Sequence, residues 1–175
     1  MSGKKYIFLA LLGLLAFMPF IPYVNYVTNV ERMTRCIFCE IINGKIPQTK
    51  LEYDGKDFVI FKDIKPASTH HYLAVPKKHI DSVKTLTSED TGLLLDMEAG
   101  LRDFLTKQGI DTNDSLFGFH LPPFISVKHL HMHGIAPKST MGLISRFVFR
   151  TGSPWFKTPV EIRSNLQEKA NAETS

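Results

Sequence analysis
The sequence predicts an α+β domain built on a mostly antiparallel sheet. Of its 175 residues, 43% are apolar and 22% charged, the balance of a chain that folds around a core rather than a disordered or collagen-like one. Short apolar runs stand on both sides of a single amphipathic helical stretch, and the connections between them are short turns.

Phe58-Val59-Ile60-Phe61 and Tyr72-Leu73-Ala74-Val75 are bounded by Asp54-Gly55, Lys65-Pro66 and Pro76, so each reads as a buried strand. Thr87 can cap a helix whose first turn holds Glu89 and Asp90, where the helix dipole favours acids. Leu94, Met97, Leu101, Phe104 and Leu105 then fall at helical spacing on one face, and Gly109 supplies the usual stop. Residues 117–119 and 127–135 read as two more strands, separated by Leu121-Pro122-Pro123-Phe124. No internal repeat or low-complexity tract divides the chain, so one domain over 31–164 is the simplest organisation. The polar stretch 165–175 is expected to fray as a flexible tail.

Residues 6–30 carry no charged side chain and follow Lys4 and Lys5. A signal peptide begins this way, but no small-x-small cleavage pattern follows. As a helix, residues 7–20 would span roughly 21 Å against a hydrocarbon core of about 30 Å. An anchor must therefore continue through 6–27, past Pro19 and Pro22, which membrane helices tolerate better than soluble ones. Residues 1–30 are thus either a membrane anchor or a dispensable extension before a cytoplasmic or nuclear domain. Basic residues at both ends, Arg32 and Arg35 being the later ones, give no orientation.

The formal charge is +4; without Lys4 and Lys5 it is 19 basic minus 17 acidic, or +2. That is too little to imply a polyanion, and no specific nucleic acid is expected. Cys36 and Cys39 stand too close in sequence for a bridge to remove much chain entropy. A metal or redox pair stays open. The redox reading is the weaker one, since the pair is not expected to open a helix.

The most informative residues are His129-Leu130-His131-Met132-His133. In a strand the three imidazoles would line one surface while Leu130 and Met132 face the core. Such a row can serve as a solvated face, a metal cluster or a catalytic site.

Extended by Gly134-Ile135, the row resembles the His-x-His-x-His-x-x signature of the histidine triad (HIT) superfamily, which comprises nucleotide hydrolases and transferases. Cys36-Ile37-Phe38-Cys39-Glu40-Ile41, Phe61-Lys62-Asp63-Ile64-Lys65-Pro66, Thr69-His70-His71-Tyr72-Leu73 and Val75-Pro76-Lys77-Lys78-His79-Ile80 match in family order. Among its branches the chain most resembles Hint-type adenosine 5′-monophosphoramidases of the third vertebrate type. The resemblance implies a HIT-like fold with one main helix, preceded here by the apolar segment.

It also implies a hydrolase that cleaves adenosine 5′-monophosphoramidates or aminoacyl-adenylates to AMP through a covalent nucleotidyl-histidine. His131 would attack the α-phosphorus, and a neutral imidazole is a competent nucleophile near pH 7. An amine leaving group needs a proton, so a cationic imidazole among His71, His129 and His133 is expected as general acid. By family analogy His133 holds the phosphate, His129 orients the site, His71 lies beside it on the next strand, and the Ser126 hydroxyl contacts phosphate or leaving group. Asp63 would bind the ribose hydroxyls, with Phe61 and Ile64 flanking base and sugar. The lesser alternative for Asp63 is a turn-stabilising residue before Lys65-Pro66.

No essential catalytic cofactor is implied. Certain triad proteins hold a structural zinc, and the matching ligands here are Cys36, Cys39, His71 and His129; the alternative is two reduced cysteines packed near the sheet. His70 reads as a surface residue, His79 as a residue without chemistry, and His120 has no assigned role. Residues 147–150 and 153–156, with Trp155, close the pocket, join a dimer interface or simply pack in the core. A homodimer is expected by analogy.

One departure bears on specificity. Where the commonest Hint pattern has a glycine-rich stretch with an asparagine, this chain reads Gly118-Phe119-His120-Leu121-Pro122-Pro123-Phe124-Ile125-Ser126. That stretch resembles aprataxin, which removes adenylate from DNA ends. Aprataxin-like chemistry and a weakly catalytic nucleotide-binding scaffold are the alternative functions.

Overall fold
The structure is a computed structural model that describes residues 36–173. The expected anchor in residues 1–30 lies outside the described residues. Among those described, no helix is long and apolar enough to cross a membrane.

Strands β1 (Leu51–Asp54), β2 (Phe58–Lys62), β3 (His70–Pro76), β4 (Leu116–His120), β5 (Met132–Ala136) and β6 (Phe156–Lys157) form a six-stranded sheet in the order β1-β2-β3-β5-β4-β6. Every neighbouring pair is antiparallel. The apolar runs of β2 and β3 are continuous because both faces of the sheet are covered. Phe58, Ile60, Tyr72 and Ala74 pack with helix α2 (Thr91–Lys107), while Val59, Phe61, Leu73 and Val75 pack with Phe38 and Ile41 of the short helix α1 (Ile37–Ile42). Each strand thus contributes alternate side chains to two separate apolar clusters.

Helix α2 buries Leu94, Met97, Leu101, Phe104 and Leu105, the five residues of the sequence stripe. It starts later than a cap at Thr87 suggests, because a 3₁₀ turn at Ser88–Asp90 precedes it. The Thr87 backbone N–H donates to Asp90 Oδ2 at 2.9 Å, which anchors that turn. Gly109 lies just beyond the helix with φ of 74°, a conformation that other residues adopt only with strain.

Two expectations fail. Residues 127–135 do not form one strand: β5 begins at Met132. The partner strand explains the boundary, since β3 pairs Ala74 with Met132 and then runs out at Pro76, which has no N–H to offer. The Pro76 carbonyl instead accepts from His129 Nε2, and the Leu130 N–H donates to Ile80 O. Leu130 and Met132 nevertheless enter the α2 cluster, so the alternation survives without the strand.

The described part of the stretch after Ser164, residues 165–173, is no frayed tail either. Helix α4 (Pro159–Glu173) runs through it, with Ile162 and Leu166 buried in the α2 cluster. Its start has a reciprocal cap, in which Thr158 N–H donates to Glu161 Oε2 and Glu161 N–H to Thr158 Oγ1, with Pro at the first helical position. Arg163 then binds Glu98 of α2 at 2.7 Å. A further short helix, α3 (Leu143–Val148), links the sheet to β6. β6 can lie against β4 because Gly118 has no Cβ; one there would stand 2.7 Å from Lys157 O.

Candidate active site
The triad imidazoles and His71 gather on the sheet face opposite α2. His133 stands directly across from Leu73 in the β3–β5 pairing, and His71 faces Ile135 one step further along. His131 is placed by its own backbone: its Nδ1 lies 2.6 Å from the carbonyl oxygen of His129. A carbonyl only accepts, so Nδ1 carries the proton and the neutral ring keeps its lone pair on Nε2. The Phe38 ring meets the His131 ring edge-on at 5.2 Å and limits its rotation.

His131 and His133 line a cavity of about 430 Å³, together with Phe61, Asp63, Ile64 and Ser126. Every residue expected to bind nucleotide therefore borders one space, of the size that a small ligand fills. Ile64 is 94% exposed and forms the rim, whereas Phe61 is buried at the floor. Asp63 makes the turn contact read from its sequence and turns its other oxygen toward His71. Its Oδ1 accepts from Lys65 N–H at 2.8 Å, the turn bond, and its Oδ2 lies 3.4 Å from His71 Nε2.

Four imidazole contacts continue past the triad. His71 Nδ1 accepts the Ala67 N–H at 3.1 Å, and His71 Nε2 lies 2.9 Å from His133 Nδ1. His133 Nε2 lies 3.2 Å from His120 Nδ1, and His120 Nε2 donates to Val148 O at 3.1 Å. Phe149 lays its ring against His71, His120 and His133 with centroids 4.9 to 5.4 Å away. Neither His120 nor Phe149 carries a sequence signal tying it to the triad.

Burial holds these rings neutral. It pushes His71 down to about 4, against the pull of Asp63. It likewise lowers His131 and His120, and it lowers His133 well below the ordinary value, with His131 and His71 adding to the effect. A resting cationic acid among His71, His129 and His133 was the expectation; in the free protein, desolvation favours the neutral form of all three instead.

A stability profile follows. The unfolded chain protonates these histidines near 6.5, whereas folded His71 does so only near 4, so the unfolded state binds more protons in between and stability falls as pH falls through that window. The melting temperature is expected to drop by roughly 5 °C or more between pH 7 and pH 5. Calorimetric scans that stay level over this range would contradict the neutral cluster.

A second cluster lies on the other side of His129. Cys36, Cys39, His79 and His129 bring their ligand atoms within 4.8 Å of one another. His129 Nε2 donates to Pro76 O at 2.9 Å, which leaves Nδ1 bare and aimed at Cys36 Sγ at 3.2 Å and Cys39 Sγ at 3.5 Å. His79 Nε2 faces Asp81 Oδ1 at 3.0 Å, which leaves its Nδ1 toward Cys39 Sγ at 3.3 Å. Two sulfurs and two bare imidazole nitrogens, each ring oriented by an oxygen behind it, fit a tetrahedral zinc ion.

His71 does not belong to this set, because both of its nitrogens are engaged in the imidazole contacts. His79, read from sequence as a residue without chemistry, takes the place assigned to it. Cys36 also caps α1, so the pair does open a helix, contrary to expectation. Burial, reinforced by Cys36, pushes the Cys39 thiol up to about 11, so this sulfur rests as a thiol rather than as a reactive thiolate.

Comparison with known proteins bears on the family. The family described as "Scavenger mRNA decapping enzyme C-term binding" matches residues 35–147. Adenosine 5′-monophosphoramidase HINT3 of Xenopus tropicalis is 45% identical over 133 residues, which cover 75% of this chain and 87% of that one. The chain belongs to the histidine triad superfamily, in its Hint branch. This Hint-branch chain is also 43% identical over 105 residues to the Arabidopsis thaliana protein named bifunctional adenosine 5′-phosphosulfate phosphorylase/adenylylsulfatase HINT4, covering 58% of this chain and 69% of that one. A HIT family hydrolase from Clostridium thermocellum superposes with a TM-score of 0.54 at 28% identity, covering 58% of this chain and 90% of that chain.

Proposed function
We propose that this Hint-branch protein hydrolyses adenosine 5′-monophosphoramidates and aminoacyl-adenylates to AMP, with His131 as the nucleophile. The observation that carries the reading is the 2.6 Å bond from His131 Nδ1 to the His129 carbonyl, which directs the Nε2 lone pair to the substrate. In the first step Nε2 attacks the α-phosphorus; with a phosphoramidate the phosphorus–nitrogen bond breaks and the amine departs with a proton, and with an aminoacyl-adenylate the phosphorus–oxygen bond breaks and the carboxylate departs. In the second, water attacks the same phosphorus, the bond to Nε2 breaks and AMP leaves. His133 and Ser126 steady the phosphate oxygens, and Asp63 Oδ2 accepts from the ribose. Negative charge on the bound phosphate favours a proton on the surrounding imidazoles, so the general acid is formed with substrate rather than held ready.

The names of the relatives support the adenylyl half of the substrate. HINT3 carries an amide in its name and HINT4 a sulfate, so the leaving group is the variable half. Cys36, Cys39, His79 and His129 would hold a structural zinc, which supplies no catalytic step and would fix the His129 backbone that holds His131. A homodimer and a membrane anchor in residues 6–27 are further parts of this reading; gel filtration and carbonate extraction, with and without residues 1–30, examine them.

Offering the protein adenosine phosphoramidate, lysyl-adenylate and 5′-adenylated DNA side by side tests the assignment. Faster turnover of the two small substrates is expected. Preference for the DNA would move the protein to aprataxin-like chemistry, and no turnover of any would leave the nucleotide-binding scaffold.

A further inference from the structure
We infer that His120 is a positioning residue, which with the Val148 carbonyl holds His133 in one tautomer and orientation, with the hydrogen on Nε2 and directed at His120 Nδ1 before phosphate binds. The inference rests on the proposed phosphate role of His133. It begins from two main-chain groups whose hydrogen-bonding roles are fixed.

At one end, the Ala67 N–H can only donate, so His71 Nδ1 is bare and the neutral ring carries its hydrogen on Nε2. That hydrogen points to His133 Nδ1, 2.9 Å away. At the other end, the Val148 carbonyl can only accept, so His120 carries its hydrogen on Nε2. His120 Nδ1 is then bare, 3.2 Å from His133 Nε2. His133 therefore meets a donor at Nδ1 and an acceptor at Nε2, and one neutral tautomer satisfies both. Reversing it would set two N–H groups against each other at His71 and two lone pairs against each other at His120. In a ring with 5% exposure, those losses are not recovered from water.

The far anchor is itself held. Trp155 Nε1 also donates to the Val148 carbonyl, at 3.1 Å, and His120 sits in register with Phe156 at the β4–β6 pairing. The region around α3 and β6 thus acts on the chemistry through one carbonyl and the Phe149 ring, which packs on three imidazoles. This assigns Trp155 a task that neither pocket closure, dimerisation nor simple core packing describes. When phosphate enters beside His131, whose ring centre is 5.0 Å from that of His133, His133 already carries its hydrogen on Nε2, to be shared between His120 Nδ1 and a phosphate oxygen.

Nitrogen-15 NMR of the histidine rings reads this directly, without substrate. In the wild-type protein at pH 7.5, His133 is expected with protonated Nε2 and bare Nδ1; the opposite pattern would overturn the inference before any variant is made. In His120→Ala both His133 signals should move toward the averaged position of a mobile ring, and kcat should fall about tenfold with KM changed less than about threefold. His120→Asn places a carbonyl oxygen near the position of Nδ1 and should restore the signals and most of kcat. Unmoved His133 signals, or moved signals with undiminished kcat, would reject His120 as a positioning residue. An inactive wild-type protein with the expected ring pattern would instead reject the hydrolase reading while leaving the tautomer assignment intact.

Discussion

His131→Asn is expected to lower hydrolysis of an adenosine phosphoramidate by at least about a thousandfold, with a melting temperature close to that of the wild type. The asparagine amide can keep the donor to the His129 carbonyl, the bond that His131 Nδ1 makes at 2.6 Å, while placing no nucleophile where Nε2 stood. His131→Ala should be equally inactive but less stable. It empties the space between the Phe38 and His133 rings, whose centres lie 5.2 and 5.0 Å from that of His131, and leaves the His129 carbonyl without its partner. Together these changes should cost about 2 to 4 kcal/mol. Stability and activity therefore separate in the asparagine variant and fall together in the alanine variant. Acid-stable quenching is unsuitable, since a phosphorus–nitrogen bond hydrolyses in acid; an alkaline quench followed by intact mass should show wild-type protein heavier by one adenylyl group. Asparagine activity within tenfold of wild type, or an adduct on another side chain, would remove His131 from its role.

The fold was legible where side chains of one kind recur at a fixed interval. The stripe from Leu94 to Leu105 specified α2, and the uninterrupted runs at 58–61 and 72–75 specified β2 and β3, because burial on both faces leaves no polar position to blur them. What escaped is local and depends on partners far away in sequence. The start of β5 is decided by the end of β3 at Pro76, so no window around residue 129 contains it. Helix α4 did carry a local signal, Thr158-Pro159-Val160-Glu161, but its low apolar content hid it behind the polarity of residues 165–175. In the site, the spacing of the histidine row set His131 and His133 on one face, and the resemblance supplied their roles. His79 and His120 stand singly in sequence, and only folding brings one beside the cysteines and the other beside His133.

The second large effect concerns the cysteine cluster, where sequence and structure name different ligands. Metal analysis of the purified protein is expected to find about one zinc per chain, bound by Cys36, Cys39, His79 and His129. Zinc replaces two thiol protons with a shared cation, which suits a site where burial and Cys36 push the Cys39 thiol up to about 11. In the loaded protein this cluster joins α1 to the Pro76 end of β3 through His129. Structural zinc sites contribute several kcal/mol to folding, so stripping the metal with a strong chelator is expected to lower the melting temperature by about 10 °C or more. Cys36→Ser and Cys39→Ser should each reproduce that loss. The ligand sets are separated by two further variants. His79→Ala should lose zinc, whereas His71→Ala should retain it, because His71 already spends Nδ1 on Ala67 and Nε2 on His133. The reverse outcome would reinstate His71 as ligand, and a protein that takes up no zinc while melting unchanged in chelator would leave two reduced cysteines against the sheet. Activity also distinguishes the two histidines. His71→Ala disturbs His133 directly, so its turnover should fall with zinc in place, whereas His79→Ala should lose turnover in proportion to the zinc it loses.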